Sequence, residues 1–278
     1  MSNAIPGASF AKVRIARRRY PVSVTHYTLP MVGLAPELEG CIVAHVTDIH
    51  CGYGDTDPVY SWLTNALADI NPSVVLFTGD YVDDHYKGPG YPLGDVLKRL
   101  KGDRYAAAVY GNHDHRRGLV EAKDGLETAN IPLLVNDSLQ LLPGLWVGGL
   151  DDMYEGSPDL QRTLARMPTD RSTILLSHNP TAIEQTGDRN VVILSGHTHG
   201  AQMRLPWPSP ELVCRVHLRC RQVMGWYHNG LARLYISRGI GVTGWPPLRI
   251  ACPAELAVFH LTAAGSDFRA SSAGKPAL

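Results

Sequence analysis

The chain has 278 residues, 44% of them apolar, which is enough to bury a full hydrophobic core and excludes a fibrous or disordered protein. Its 26 basic residues balance 26 acidic ones, so no global field steers it to nucleic acid, and any attraction for an anion has to be local. Five cysteines, an odd and sparse set, argue against a disulfide framework and for thiols in a reducing compartment.

A basic cluster, Lys12, Arg14, Arg17, Arg18 and Arg19, comes first, followed by a stretch broken by Pro21, Ser23, His26 and Pro30. That stretch is too interrupted for a signal-peptide core and too short for a membrane span, so a cytoplasmic location is expected, with weak peripheral contact to anionic lipid through the cluster. Residues 1–38 read as a basic extension and lead-in, and residues 39–262 as the folded domain. The β-branched run Ile42 to Val46 reads as a buried strand ending at Thr47-Asp48. Val59, Leu63, Leu67 and Ile70 recur at helical spacing behind Asp57-Pro58, and Asn71-Pro72 stops that helix.

Val74 to Phe77 predicts a strand running into Gly79-Asp80, and Tyr105 to Tyr110 another running into Gly111-Asn112-His113-Asp114, with a short helix near Val96 to Leu100 between them. Short strands are expected near Leu133, Leu139 and Leu145 to Val147, then a helix from Pro158 to Met167. Thr173 to Leu176 and Val191 to Leu194 are apolar strands ending in Ser177-His178 and Gly196-His197-Thr198-His199, and Leu234 to Ser237 and Leu256 to Leu261 close the series. This strand and helix alternation indicates an α/β fold.

The interval 203–229 fits neither periodicity and reads as a rim or lid insertion, while residues 263–278 read as a disordered tail. From Arg204 to Arg233 there are five arginines against one acid, Glu211, and Trp207 and Trp226 lie in the same region. With Trp245 these indoles offer an apolar or stacking surface for a ligand. Cys214 and Cys220 with His217 lack the second ligand pair of a closed zinc knuckle.

Five strand ends thus carry Asp48 and His50, Asp80, Asn112 and His113, His178, and His197 and His199. Ligands of open sheets bind beyond the carboxyl ends of the strands, so these groups should converge on one crevice. A mixture of carboxylate, amide oxygen and imidazole suits Mn, Fe or Zn. Two such ions about 3.5 to 4 Å apart polarise a phosphoryl group while a bridging hydroxide attacks in line. Two carboxylates against two divalent ions leave a positive centre that attracts a small anionic phosphoester without a charged surface.

The blocks Asp48-Ile49-His50, Gly79-Asp80-Tyr81-Val82-Asp83, Gly111-Asn112-His113-Asp114, Ser177-His178 and Gly196-His197-Thr198-His199 resemble, in order, the signature of the calcineurin-like metallophosphoesterases. The resemblance spans roughly Ile42 to Leu261. It implies a four-layer α/β/β/α sandwich with two central mixed sheets. It also implies one metal on Asp48, His50, Asp80 and His199, and a second on Asp80, Asn112, His178 and His197. His113 would stay outside both sets and protonate the leaving oxygen, with Asp83 orienting its ring.

Leu194 to Gln202, Gly149 to Asp152, Leu234 to Gly241 and Pro247-Leu248-Arg249 are similar to the branch that holds the bacterial YaeI and YkuE type phosphodiesterases and the UDP-2,3-diacylglucosamine pyrophosphatases. Ala201 stands where that branch usually has Gly, and Thr181 where it usually has Asp. Arg238 and Arg249 are candidate substrate contacts. A phosphodiesterase is the leading expectation. Pyrophosphate-bond cleavage in a nucleotide-linked lipid or sugar, and a non-catalytic metal-containing binding protein, are the alternatives. A stable nucleic-acid complex is not expected.

Overall fold

The structure is a computed structural model that describes residues 9–15, 18–51, 57–83, 92–204, 207–244 and 248–265. Its strands and helices run β1 (Ser9–Ile15), β2 (Arg18–Met31), β3 (Ile42–Val46), α1 (Asp57–Ile70), β4 (Val74–Phe77), α2 (Leu93–Lys101), β5 (Tyr105–Ala108) and α3 (Leu119–Thr128). They continue through β6 (Asp137–Leu142), β7 (Leu145–Gly149), α4 (Leu160–Ala165), β8 (Ser172–Leu176), β9 (Val192–Ser195), α5 (Pro210–His217), β10 (Gly225–Asn229), β11 (Ala232–Ile236) and β12 (Ala254–Ala263). Residues 266–278, most of the expected tail, and Trp245 lie outside the described residues.

Two six-stranded sheets form, in the orders β1-β2-β12-β3-β4-β5 and β10-β11-β9-β8-β7-β6. Both are mixed. In the first, β3, β4 and β5 are parallel, with β12 antiparallel to β3. In the second, β7, β8, β9 and β11 are parallel, with β6 and β10 antiparallel at the edges.

Strand alternation sends successive side chains to opposite faces, and this divides the core into layers. Val43, Val74, Leu76 and Phe259 of the first sheet meet Val147, Ile174, Leu176 and Leu194 of the second in the space between the sheets. Ala44, Val46, Val75 and Phe77 point the other way, onto Val59 and Leu63 of α1, Val96 and Leu97 of α2, and Leu126 of α3. The outer face of the second sheet packs Leu175, Ile193 and Leu234 against Met167 and Ile183. The result is the expected order of helices, sheet, sheet and helices.

The apolar spacing in α1 is realised as Val59, Leu63 and Leu67, all buried. Asn71 takes a left-handed φ of 49° just before Pro72, which ends the helix. Three segments depart from the expected elements. The lead-in contributes β2, a 14-residue strand inserted beside β12, because parallel pairing from Val22 to Met31 satisfies its backbone despite the prolines. The third predicted strand ends at Ala108 and continues only as a single bridge to Leu133, because the chain turns there toward the site. The aperiodic interval 203–229 contains α5 and β10, both too short for their periodicity to register.

Candidate metal centre

The parallel strands of both sheets release their functional residues on one side of the molecule, and the turns there have an unusual backbone. Asp48, His50, Asp80, His197 and His199 all have positive φ, at 53°, 45°, 54°, 70° and 50°. Left-handed conformations of this kind cost about 1–3 kcal/mol each and persist where surrounding structure enforces them. Two glycines allow the turns to close. A Cβ on Gly111 would collide with the Asp80 carboxylate, and one on Gly196 with that of Asp48.

These turns bring the seven expected ligands into an unbroken chain of contacts. His199 Nε2 lies 3.2 Å from Asp48 Oδ1 and 3.0 Å from His50 Nε2. His50 Nε2 lies 3.7 Å from Asp80 Oδ2, which lies 3.1 Å from His178 Nε2. Asn112 Oδ1 then sits 3.1 Å from His178 Nε2 and 2.7 Å from His197 Nδ1. All seven are buried. Asp48, His50 and His199, and separately Asp48, Asp80 and His178, have donor atoms within 4.8 Å of one another, close enough to share an ion. The hard carboxylates and borderline imidazoles fit transition-metal ions, and the cluster can chelate one or two of them.

Electrostatics follow from burial and mutual contact. Burial alone would raise the Asp80 carboxyl, but the His178 and His113 imidazoles outweigh it and hold Asp80 well below the usual carboxylate range. Burial would likewise lower His178, yet the adjacent Asp80 pushes it up to about 10. His197 is pushed down to about 4 by burial and by its neighbour His178, and His199 to about 4 by burial. Several partners fix ring directions. His178 Nδ1 donates to the Thr78 carbonyl at 2.7 Å, turning Nε2 toward Asp80.

Other site residues take places the sequence did not anticipate. Asp83, expected to orient His113, brings its carboxylate to His50 Nδ1 at 3.3 Å and accepts a hydrogen bond from Thr243 Oγ1. It braces the His50 ring because the turn after Tyr81 runs alongside the His50 loop, with Cys51 bridged to Val82. His113 is partly exposed, its backbone N–H donates to Asp80 Oδ1, and its ring meets that of His50 edge-on with centroids 4.9 Å apart. A ring nitrogen of His113 also falls within 4.8 Å of donor atoms of His50 and Asp80.

Arg238 and Arg249, expected at the substrate, are occupied inside the protein. Arg238 pairs with Glu255 at 3.2 Å and donates to Ser23 Oγ at 2.8 Å. Arg249 donates to the carbonyls of Arg238 and Gly241, and its Nη2 lies 3.2 Å from His199 Nδ1. It therefore ties the loop after β11 to the back of His199.

Four further residues support the site. Asp114 accepts N–H groups from Asp80, Tyr81 and Gly111 at 2.8 Å and clamps the Asp80 and Gly111 turns together. Burial and the nearby Asp80 push its carboxyl up to about 7. His115 lies 2.7 Å from Asp151, and Tyr154 places its ring 6.1 Å from that of His197. Asp151 lies in the run Gly149 to Asp152, whose sequence resembles the YkuE-type branch. Trp226, by contrast, packs against Tyr27, Tyr235 and Phe259 and serves the core instead of a ligand surface.

Comparison with known proteins agrees with this geometry. Residues 42–201 match the model of the calcineurin-like phosphoesterase family. The chain is 29% identical over 251 residues to the uncharacterized metallophosphoesterase YkuE of Bacillus subtilis, covering 86% of this chain and 85% of the relative. An uncharacterized metallophosphoesterase of Campylobacter jejuni is 32% identical over 231 residues, covering 79% of this chain and 58% of its own length. The UDP-2,3-diacylglucosamine pyrophosphatase LpxG of Chlamydia muridarum is 24% identical over 283 residues, covering 80% and 84%. With more than half its length matched and a cluster of the corresponding chemistry in place, this chain belongs to the calcineurin-like phosphoesterases.

Proposed function

We propose that the protein hydrolyses a phosphoester, a phosphodiester in preference to a monoester, at a centre of two ions held by Asp48, His50, Asp80, Asn112, His178, His197 and His199. The observation that carries this reading is the continuous chain of contacts from His199 to His197, with Asp80 lying between His50 and His178. In this reading Asp48, His50 and His199 serve one ion, Asn112, His178 and His197 serve the other, and Asp80 is shared. Ions held there would supply Lewis-acid polarisation of a phosphoryl group and would lower the pKa of water.

The protein's own groups do the rest. Burial of the ligands keeps bulk water from competing for the donor atoms. Thr78 and Asp83 hold His178 and His50 in their ring orientations, and Asp114 holds the Asp80 and Asn112 turns at a fixed separation. His113, partly exposed where the others are buried, is assigned to donate a proton from its ring to the departing oxygen. The test is metal analysis after reconstitution with Mn, Fe or Zn, coupled to turnover of bis-para-nitrophenyl phosphate and para-nitrophenyl phosphate. Faster cleavage of the diester supports the reading; metal binding with no turnover of either returns the protein to the non-catalytic alternative.

A second reading, hydrolysis of the pyrophosphate bond in a nucleotide-linked lipid, is favoured by the match to the Chlamydia pyrophosphatase over 80% of this chain. Turnover of UDP-2,3-diacylglucosamine exceeding that of the simple diester distinguishes the two.

A further inference from the structure

The rim beside the cluster presents apolar side chains outward. Helix α5 begins with Ser209, whose side chain accepts from Leu212 N–H, and Pro210 in its first turn. It buries one side through Cys214, which packs with Ala201, Cys220 and Val223. At 100° per residue, Leu212 and Val216 fall nearly opposite Cys214 and on one stripe, four residues apart. They are 38% and 61% exposed. Trp207 precedes the helix and is 79% exposed, and Ile250, bridged to Met203 at the base of the rim, is 41% exposed. With Tyr154, whose hydroxyl donates to the Arg219 carbonyl, five of the nine exposed large hydrophobic residues among those described lie in the 203–229 segment or contact it directly.

Charge is distributed in the same way. Arg204, Arg215, Arg219 and Arg221 are all exposed on this rim, and Glu211 is the only acid between residues 203 and 229. The chain as a whole is neutral, so the four arginines are a local excess of positive charge, with Glu184 the acid that approaches from outside the segment, near Tyr154 and Cys220. The rim is also joined directly to the ligand loop: Thr198, between His197 and His199, donates its hydroxyl to the Val223 carbonyl.

We propose that this rim docks on the surface of an anionic phospholipid bilayer, with Trp207, Leu212 and Val216 entering the headgroup boundary and the arginines pairing with lipid phosphates. Indole, short aliphatic stripe and interleaved arginines are the composition of an interfacial anchor. A protein partner fits less well. The helix is about 12 Å long, a stable protein interface buries about 800 Å² on each side, and its centre is depleted of charge, whereas here charge runs through the apolar stripe. Docking does not depend on the hydrolase reading. Its consequence for substrate does: the phosphoester offered to the cluster is carried by an amphiphile resident at that surface.

The experiment is flotation of the full chain with phosphatidylcholine vesicles, with and without phosphatidylglycerol, in EDTA so that docking is read apart from turnover. Binding is expected only to the anionic vesicles and is expected to weaken as salt rises. Arg215→Gln and Arg221→Gln should each reduce it about fivefold, and the triple change Trp207→Ser, Leu212→Ser, Val216→Ser should reduce it at least as far as both together. Equal binding to neutral vesicles, no binding, or loss of binding on replacing Arg14, Arg18 and Arg19 instead overturns the assignment. So does concentration-dependent self-association abolished by the triple change, which would make the rim a protein interface. In the metal-loaded enzyme the triple change should lower kcat/KM for a vesicle-borne phosphodiester and spare bis-para-nitrophenyl phosphate. An equal fall on both overturns the surface-substrate part, and failure of the unaltered protein to cleave either breaks the hydrolase reading while leaving docking to the flotation result.

Discussion

The metal cluster and the arginine-rich rim are opposite inversions of ordinary folding. In the cluster, Asp48, His50, Asp80, His178 and His199 are almost completely shielded from water, although burying charged and polar groups without partners costs several kcal/mol. In the rim, Trp207 and Val216 stay largely in water, although burying each would contribute about 1.5–3 kcal/mol. Neither pattern helps the isolated chain to fold, and both are what a surface made for binding looks like. They differ in rigidity. The cluster is held by Asp114, Thr78, Asp83 and Arg249, whereas α5 is tied down mainly through Cys214 and its small cluster.

The contrast can be broken most directly at its centre. Asp80→Ala should abolish loading of both ions and reduce turnover by about a thousandfold or more, because this carboxylate faces His50 on one side and His178 on the other. Metal content by mass spectrometry alongside diester turnover checks it; retention of a full complement of metal would refute the shared position. His113→Ala should lower turnover about a hundredfold to ten-thousandfold and leave metal content unchanged. A parallel loss of metal would instead make His113 a ligand, consistent with its closeness to His50 and Asp80.

A third measurement uses the protonation of the cluster in the metal-free protein. His178, with its folded value at about 10, carries a proton at pH 7 that an incoming ion must displace. Metal binding should therefore release protons at neutral pH, and apparent affinity should rise up to tenfold per pH unit between about 7 and 9. Calorimetry in buffers of different ionisation enthalpy reads the number released; none released would contradict the His178–Asp80 pairing. The smallest effect is expected at the joint between cluster and rim. Ala201 sits at φ 62°, so Ala201→Gly should relieve backbone strain and stabilise the protein by about 0.5 kcal/mol after the entropy cost of glycine. Urea denaturation of the metal-free protein checks the sign.

Much of this was legible without a structure, for identifiable reasons. Buried strands such as Val74–Phe77 announce themselves as short β-branched and apolar runs, and the residue types that follow them have few structural uses in that order. Strand β2 was hidden because its prolines mask its alternation, and α5 because eight residues give too few turns to establish a period. The partner of Asp83 could not be read at all. Asp83 and His50 are 33 positions apart, and which imidazole the carboxylate meets depends on how two turns lie side by side. The places of Arg238 and Arg249 were unreadable for a similar reason, since a guanidinium near a turn can face a ligand or the turn's own carbonyls, and only packing decides.

The amino-acid sequence by itself determined the α/β class, the strand ends and the seven candidate ligands, because period and residue chemistry are local properties. The tertiary structure decided which turns enter left-handed backbone, which ring each carboxylate braces, and that Leu212 and Val216 face outward while Trp226 faces in. Those outcomes depend on the crossing of two sheets and the depth of burial, which local pattern does not encode.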